Sequence, residues 1–343
     1  MKTEDFKQIK ELLSSKKNIV IVSHRNPDGD AYGSSLALFH FFKKLNHEVT
    51  VVSPNDCPDF LKWLPGQKEI VLFEGNETKA SKILNETDIV FTLDFNAFHR
   101  TGDRMGTFLE TIQPIFIMID HHLQPDDYAK YRYSDPKKCS TCEMIYDFIE
   151  NLDLINHLDK DIATCLYTGI MTDTGSFRFP LTTARTHMII AELINNGANN
   201  NSIYNSVHHN SNQNKLKLLS KALFNLRVMQ QYKTAFISLS KEELNRFHYQ
   251  KGDTEGFVDY ALAIKGVVFA VIFIEDNVQN IIKMSFRSKG TFSVNEFARK
   301  HFNGGGHANA AGGRSEVSLE ETINKFIKIL PEFKTEIDNS YEK

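Results

Sequence analysis

Histidine and aspartate cluster at four places in the first half of this chain: Ser23-His-Arg-Asn-Pro-Asp-Gly-Asp30, Asp94, Asp120-His-His122 and Thr172-Asp-Thr-Gly175. Carboxylate and imidazole donors without thiolate suit Mn2+, Mg2+ or Fe2+ better than a structural zinc site. So many carboxylates cannot be held together without counter-charge, because mutual repulsion raises their pKa values, and divalent cations resolve the conflict. Two cations about 3.5–4 Å apart would suit phosphoryl chemistry, activating a bridging water and stabilising a developing oxyanion. Each cluster alone also has a plainer reading. A single Asp after a strand often caps a helix, and Pro27-Asp-Gly29 is a good turn sequence.

The elements around these clusters decide whether they can meet. Apolar runs at 18–22, 49–52, 89–93 and 115–119 read as buried strands, while 34–45, 143–152, 160–171 and 183–196 carry helical periodicity. Strands alternating with helices imply a mainly parallel sheet covered on both faces. The carboxyl ends of such strands form the ligand crevice. His24, Asp28 and Asp30 follow the first run, Asp94 follows 89–93, and Asp120, His121 and His122 follow 115–119. All seven should therefore converge, with Asp173, at the end of an apolar helix, as a further member.

Residues 196–220 are rich in Asn, Ser and His and read as a connector, with His208 and His209 on a solvated surface. A helix at 215–226 should lead from it into a second domain. Beyond it lie strand candidates at 234–239, 267–274 and 281–286, the glycine cluster Gly304-Gly-Gly306 and a helical tail at 319–330. The expected fold class is α/β. An N-terminal, mainly parallel sheet flanked by helices occupies 1–195, and a smaller α/β domain occupies 221–343.

At 343 residues the chain can bury two cores, and its formal net charge of -3 argues against a long electrostatic track for duplex nucleic acid. The charged N-terminus shows no signal-peptide pattern and no run approaches the roughly 20 apolar residues of a spanning helix, so a cytoplasmic, membrane-free location is expected. Cys139-Ser-Thr-Cys142 reads either as a redox pair or half a zinc site, or as a helix start in which Ser140 and Glu143 form a capping box. No second CxxC is present, and the thiols are expected to be free.

In order, His24 to Asp30, Asp94 with Arg100, Asp120-His-His122 and Thr172 to Gly175 resemble the four motifs of the DHH phosphoesterase superfamily. Gly304-Gly-Gly-His-Ala-Asn-Ala-Ala-Gly-Gly313 resembles the glycine-rich signature of its DHH-associated, substrate-binding domain. Gly256-Phe-Val-Asp-Tyr260 with Ile264-Lys-Gly266, and Phe286-Arg-Ser288, are similar to that domain in the nanoRNase subgroup (NrnA type). The resemblance implies His24, Asp28 and Asp94 on one metal and Asp30, Asp94, His121 and Asp173 on the other, Mn2+ being favoured over Mg2+ or Fe2+. It makes Asp120 an orienter of a histidine and His122 an electrophile or proton donor. Arg100 is either catalytic or a salt bridge that positions the Asp94 loop.

In the C-terminal part, three successive glycines could form an anion-binding nest, with Arg287, Ser288 and His307 beside it, or they could be a mobile loop with Arg287 solvated. The resemblance favours the first reading. It implies a hydrolase of short oligoribonucleotides that releases nucleoside monophosphates and acts as a 3′-phosphoadenosine 5′-phosphate phosphatase. The alternative is a phosphodiesterase for cyclic di-AMP or linear dinucleotides. An inorganic pyrophosphatase and a RecJ-like DNA exonuclease fit less well, and a silent nucleotide sensor would have lost a metal ligand. A homodimer is compatible with all of these.

Overall fold

The computed structural model describes residues 1–209, 212–250, 252–276 and 279–340. The chain divides into two units, Met1–Asn210 and Ser211–Lys343.

Unit one begins with α1 (Thr3–Leu12), β1 (Asn18–Ser23), α2 (Gly29–Lys44) and β2 (Glu48–Ser53). It continues through β3 (Val71–Leu72), α3 (Glu77–Asn85), β4 (Ile89–Leu93), α4 (Asp103–Leu109), β5 (Ile115–Asp120) and β6 (Tyr131–Ser134). Four helices follow: α5 (Thr141–Asn151), α6 (Lys160–Asp173), α7 (Ala184–Asn195) and α8 (Asn200–His208). The strands form one sheet in the order β3-β2-β1-β4-β5-β6 with every pairing parallel. Alternate β1 side chains explain the two covered faces. Ile19 and Ile21 pack with Phe41, Phe42, Ile145 and Ile170 of α2, α5 and α6, whereas Val20 and Val22 pack with Leu84 and Met105 of α3 and α4.

The strand order reverses between β1 and β4, which opens a crevice beyond their carboxyl ends. Helix α2 starts earlier than its apolar periodicity suggests, because Asp28 caps it. The Asp28 carboxylate accepts from the N–H groups of Asp30 and Ala31 at 3.0 and 3.1 Å. Glycines let the helices of this face close on one another. A Cβ on Gly33 would lie 2.6 Å from the Cys165 carbonyl oxygen, and one on Gly169 would lie 2.2 Å from Cys142 Sγ.

Unit two comprises α9 (Gln213–Phe224), β7 (Arg227–Met229), β8 (Thr234–Leu239), α10 (Lys241–Arg246), α11 (Phe257–Leu262) and β9 (Phe269–Asp276). It ends with β10 (Ile281–Ser288), α12 (Val294–His301), β11 (Gly305–Gly306), β12 (Ala310–Ser315) and α13 (Leu319–Asn339). Its sheet, β11-β12-β10-β9-β8-β7, is antiparallel except for the parallel pair β8 and β9. Phe269, Phe286, Phe297 and Phe326 fill one face, and Leu218, Leu244 and Phe257 fill the other.

The segment 196–220, read as a polar connector, carries α8 and most of α9; its residues 210 and 211 lie outside the described part. Asn caps explain the helices: Asn199 accepts from Ser202 N–H and Asn212 from Lys215 N–H. His208 and His209 are exposed.

Candidate active site

Asp94 lies at the centre of the crevice, one residue beyond β4, with its backbone at φ 63° and its side chain buried. Asp tolerates this left-handed conformation better than most residues, and here it turns the carboxylate back over the strand end. His24 Nε2 lies 3.3 Å from Asp94 Oδ2, and His121 Nε2 lies 3.5 Å from Asp94 Oδ1. The same His121 nitrogen is 3.7 Å from Asp30 Oδ2 and 3.5 Å from Asp173 Oδ2, while His24 Nε2 is 4.0 Å from Asp28 Oδ1.

Ligand atoms of His24, Asp28 and Asp94 thus fall within 4.8 Å of one another, and so do those of Asp30, Asp94 and His121. Asp94 belongs to both groups.

Both imidazoles are oriented from behind. His24 Nδ1 meets the Arg25 carbonyl at 2.9 Å and His121 Nδ1 meets the Lys138 carbonyl at 3.2 Å. A carbonyl only accepts, so each Nδ1 carries hydrogen and each Nε2 is left facing the carboxylates. That is the tautomer a metal-ligating histidine needs.

Without a cation the cluster holds protons instead. Asp30 sits well above the usual carboxylate range, first because it is buried and then because Asp94 and Asp173 repel its charge. Burial alone would lower the His24 pKa, but Asp94 and Asp28 outweigh it and raise the ring to about 9. His121 is raised in the same way, mainly by Asp94 against the effect of burial. Burial would lift Asp94, yet the hydrogen bonds from His121 and His24 hold it well below the ordinary range. Oxygens and imidazole nitrogens spaced 3.3–4.0 Å apart, buried except at the more open Asp28, fit divalent cations, whose charge would replace those protons.

His122 belongs to a second arrangement. Its Nδ1 lies 2.7 Å from Asp120 Oδ1, its Nε2 lies 3.2 Å from an Arg100 guanidinium nitrogen, and its N–H donates to Asp120 Oδ2 at 2.9 Å. Arginine only donates, so His122 Nε2 accepts and Nδ1–H donates to the buried Asp120. The His122 ring thus spans Arg100 and Asp120. Of the two readings of Arg100, catalytic or a salt bridge that positions the Asp94 loop, the printed side-chain contact is with His122.

Several contacts at this site were not foreseen from the sequence. Thr141 and Cys142 at the start of α5 donate their N–H groups to Asp30 at 2.6 and 2.8 Å, and Thr141 Oγ1 donates to Asp94 Oδ1 at 3.0 Å. Asn96 Nδ2 donates to the carbonyls of His122 and Leu123 at 3.2 and 3.0 Å. Gly29 is needed by packing: a Cβ there would lie 2.3 Å from Thr172 Oγ1. Only an Asp or Thr flanked by motif residues could have hinted at these roles, because each is a tertiary contact. The cysteines are free and buried, and burial pushes the Cys142 thiol up. Ser140 caps α5, but Glu143 does not close the expected box. Its carboxylate instead accepts from Cys139 Sγ, Thr186 Oγ1 and Lys138 Nζ.

In unit two the glycine cluster is not a free nest. Gly305 and Gly306 form β11 against Gly312 and Ala311, and the Gly306 N–H donates to Asn295 Oδ1 at 3.1 Å. Glycine is demanded by close backbone approach, since a Cβ on Gly304 would lie 2.0 Å from the Gly312 carbonyl oxygen. Ser288 is buried and structural, donating to the Phe292 carbonyl and accepting from Asn309. Arg287 is half-buried and pairs in register with Ala310, and His307 closes a turn with Ala310, which brings both to the end of the β10–β12 ladder.

Residues 18–170 match the DHH family, N-terminal domain, and residues 230–336 match the DHHA1 domain. The chain carries a DHH family N-terminal domain followed by a DHHA1 domain. It is 29% identical over 334 residues to the bifunctional oligoribonuclease and PAP phosphatase NrnA of Thermus thermophilus, spanning 96% of this chain and 94% of that one. Its identity to the protein of the same name from Bacillus subtilis is 29% over 313 residues, 91% of this chain and 92% of that one. A crystal structure of an exopolyphosphatase-related protein from Bacteroides fragilis superposes with TM-score 0.93 at 39% identity, covering 98% of each chain. No helix among the described residues is long and apolar enough to cross a membrane.

Proposed function

We propose that this chain is a divalent-metal phosphodiesterase that hydrolyses short oligoribonucleotides to nucleoside monophosphates and also acts on 3′-phosphoadenosine 5′-phosphate. The observation that carries the reading is the buried Asp94, shared by two carboxylate–imidazole groups at the switch point of a parallel sheet. The substrate class comes from the names of the NrnA relatives, which match over most of the chain.

In this reading His24, Asp28 and Asp94 hold one cation, and Asp30, Asp94, His121 and Asp173 hold a second, with Mn2+ favoured by the donor set. Bound cations supply Lewis-acid charge to the phosphoryl group and acidify water. The chain's own residues do the rest. The carbonyls of Arg25 and Lys138 fix the two ligand imidazoles, and Asp120 fixes the His122 tautomer. Arg100 presents guanidinium hydrogens beside His122, where they can donate to a phosphate oxygen. Arg287 and His307 in unit two serve as phosphate donors, and Gly304–306 supply the close-packed strand beside them; Ser288 holds that turn.

Incubating the Mn2+-loaded protein with dinucleotides, 3′-phosphoadenosine 5′-phosphate and cyclic dinucleotides tests the reading. Release of mononucleotides from linear dinucleotides is expected. A preference for cyclic di-AMP over every linear substrate would contradict it.

A further inference from the structure

Three residues preceding and opening α5 touch three candidate metal ligands at once. The Lys138 carbonyl accepts from His121, the N–H groups of Thr141 and Cys142 hold Asp30, and Thr141 Oγ1 holds Asp94. Wherever this segment sits, those ligands follow.

What fixes the segment is an ionic network built on two buried carboxylates. Lys138 Nζ lies 3.0 Å from Glu143 Oε1 and 2.6 Å from Asp147 Oδ2, which folds residue 138 back onto the first turns of α5. Arg185 of α7 reaches Asp147 Oδ1 at 2.8 Å and Glu150 Oε2 at 2.5 Å, and Thr186 of α7 donates to Glu143 Oε2 at 2.7 Å. The side chains of Glu143 and Asp147 are only 3% and 9% exposed, so this is not a solvated surface lattice. Buried ion pairs contribute little net stability compared with apolar packing of the same volume, but each requires one geometry. Here that geometry is transmitted to the ligands through a backbone carbonyl, two backbone N–H groups and one hydroxyl.

We infer that the Lys138–Glu143–Asp147–Arg185 network is a positioning device for the metal centre, setting residues 138–142 so that His121, Asp30 and Asp94 converge on divalent cations. This inference rests on the metal reading above, and the test separates the two.

Full-length protein stripped by chelator is titrated calorimetrically with Mn2+ alone, and its folding is followed by thermal melting. Lys138→Met should weaken Mn2+ binding by about 10- to 100-fold, the usual cost of losing a partner behind a ligand. Lys138→Arg, which keeps the paired charge, should restore most of the affinity. Arg185→Leu, at the more exposed end of the network, should give a smaller loss in the same direction and serves if Lys138→Met does not fold. Wild-type affinity in a folded Lys138→Met, or in Arg185→Leu, with only the melting temperature lowered, would make the network merely structural and overturn the proposal. Failure of the wild-type protein to bind Mn2+ at all would overturn the metal reading and this inference together.

Discussion

Asp94 combines burial, a left-handed backbone and contact with both histidine nitrogens, so its replacement must respect all three. Asn tolerates the left-handed region, whereas Ala adds strain, so Asp94→Asn isolates the loss of charge. Turnover should fall at least about a hundredfold, more than the loss of an outer partner costs, while the fold survives. A folded Asp94→Asn with near wild-type kcat would show that the residue is misassigned. The protons held by the metal-free cluster give a second prediction. Metal binding must displace protons from His24, whose pKa is about 9, and from the raised His121 and Asp30. Apparent Mn2+ affinity should therefore rise with pH up to about 9, with proton release visible as a dependence of binding heat on buffer ionisation. In metal-free protein the sign reverses for stability. The charged His24 is favoured in the folded state, so its contribution is complete below about 6.5 and disappears as pH rises through about 9. Flat Mn2+ affinity between pH 6 and 9 would contradict this account.

At the scale of elements, the site depends on how closely α2, α5 and α6 approach. Gly169→Ala would put a Cβ 2.2 Å from Cys142 Sγ and 3.0 Å from Asp30 Oδ1, both buried. Such overpacking typically costs about 1–3 kcal/mol, and it should also disturb Asp30, lowering both the melting temperature and Mn2+ affinity. Loss of neither would show that the helices can separate freely. This contact also marks the limit of what the sequence discloses. β1, β4 and β5 were legible because runs such as 18–22 and 89–93 are dominated by Val, Ile, Leu and Phe, and the Asp and His residues at their ends were legible by type. The short β3 and β6 carry too few residues for a pattern, and α3 and α4 are only 9 and 7 residues long. Thr141, Lys138 and Gly169 act through contacts with residues distant in sequence, which no local spacing encodes. The glycine cluster was legible by type, but its pairing as β11 was not, because glycine required for close backbone approach looks the same in sequence as glycine required for a ligand.

For the whole molecule, the proposed division places chemistry in Met1–Asn210 and phosphate capture in Ser211–Lys343. Arg287→Ala should weaken binding of a dinucleotide by roughly ten- to a hundredfold, because a charged hydrogen bond to phosphate contributes about 1.5–3 kcal/mol. Direct binding measurements are the proper readout, since KM need not equal Kd. Unchanged affinity would remove Arg287 from the anchor. The net charge of -3 leaves little to track a long backbone, so short strands should be preferred. The most direct test of the account is kcat/KM for labelled RNAs from two to about twenty nucleotides, with Mn2+ and one fixed salt concentration. Efficiency highest at about two to five nucleotides, and cut at least about a hundredfold in Asp94→Asn, is the predicted result. Equal efficiency at all lengths, or near wild-type cleavage in Asp94→Asn, would contradict it.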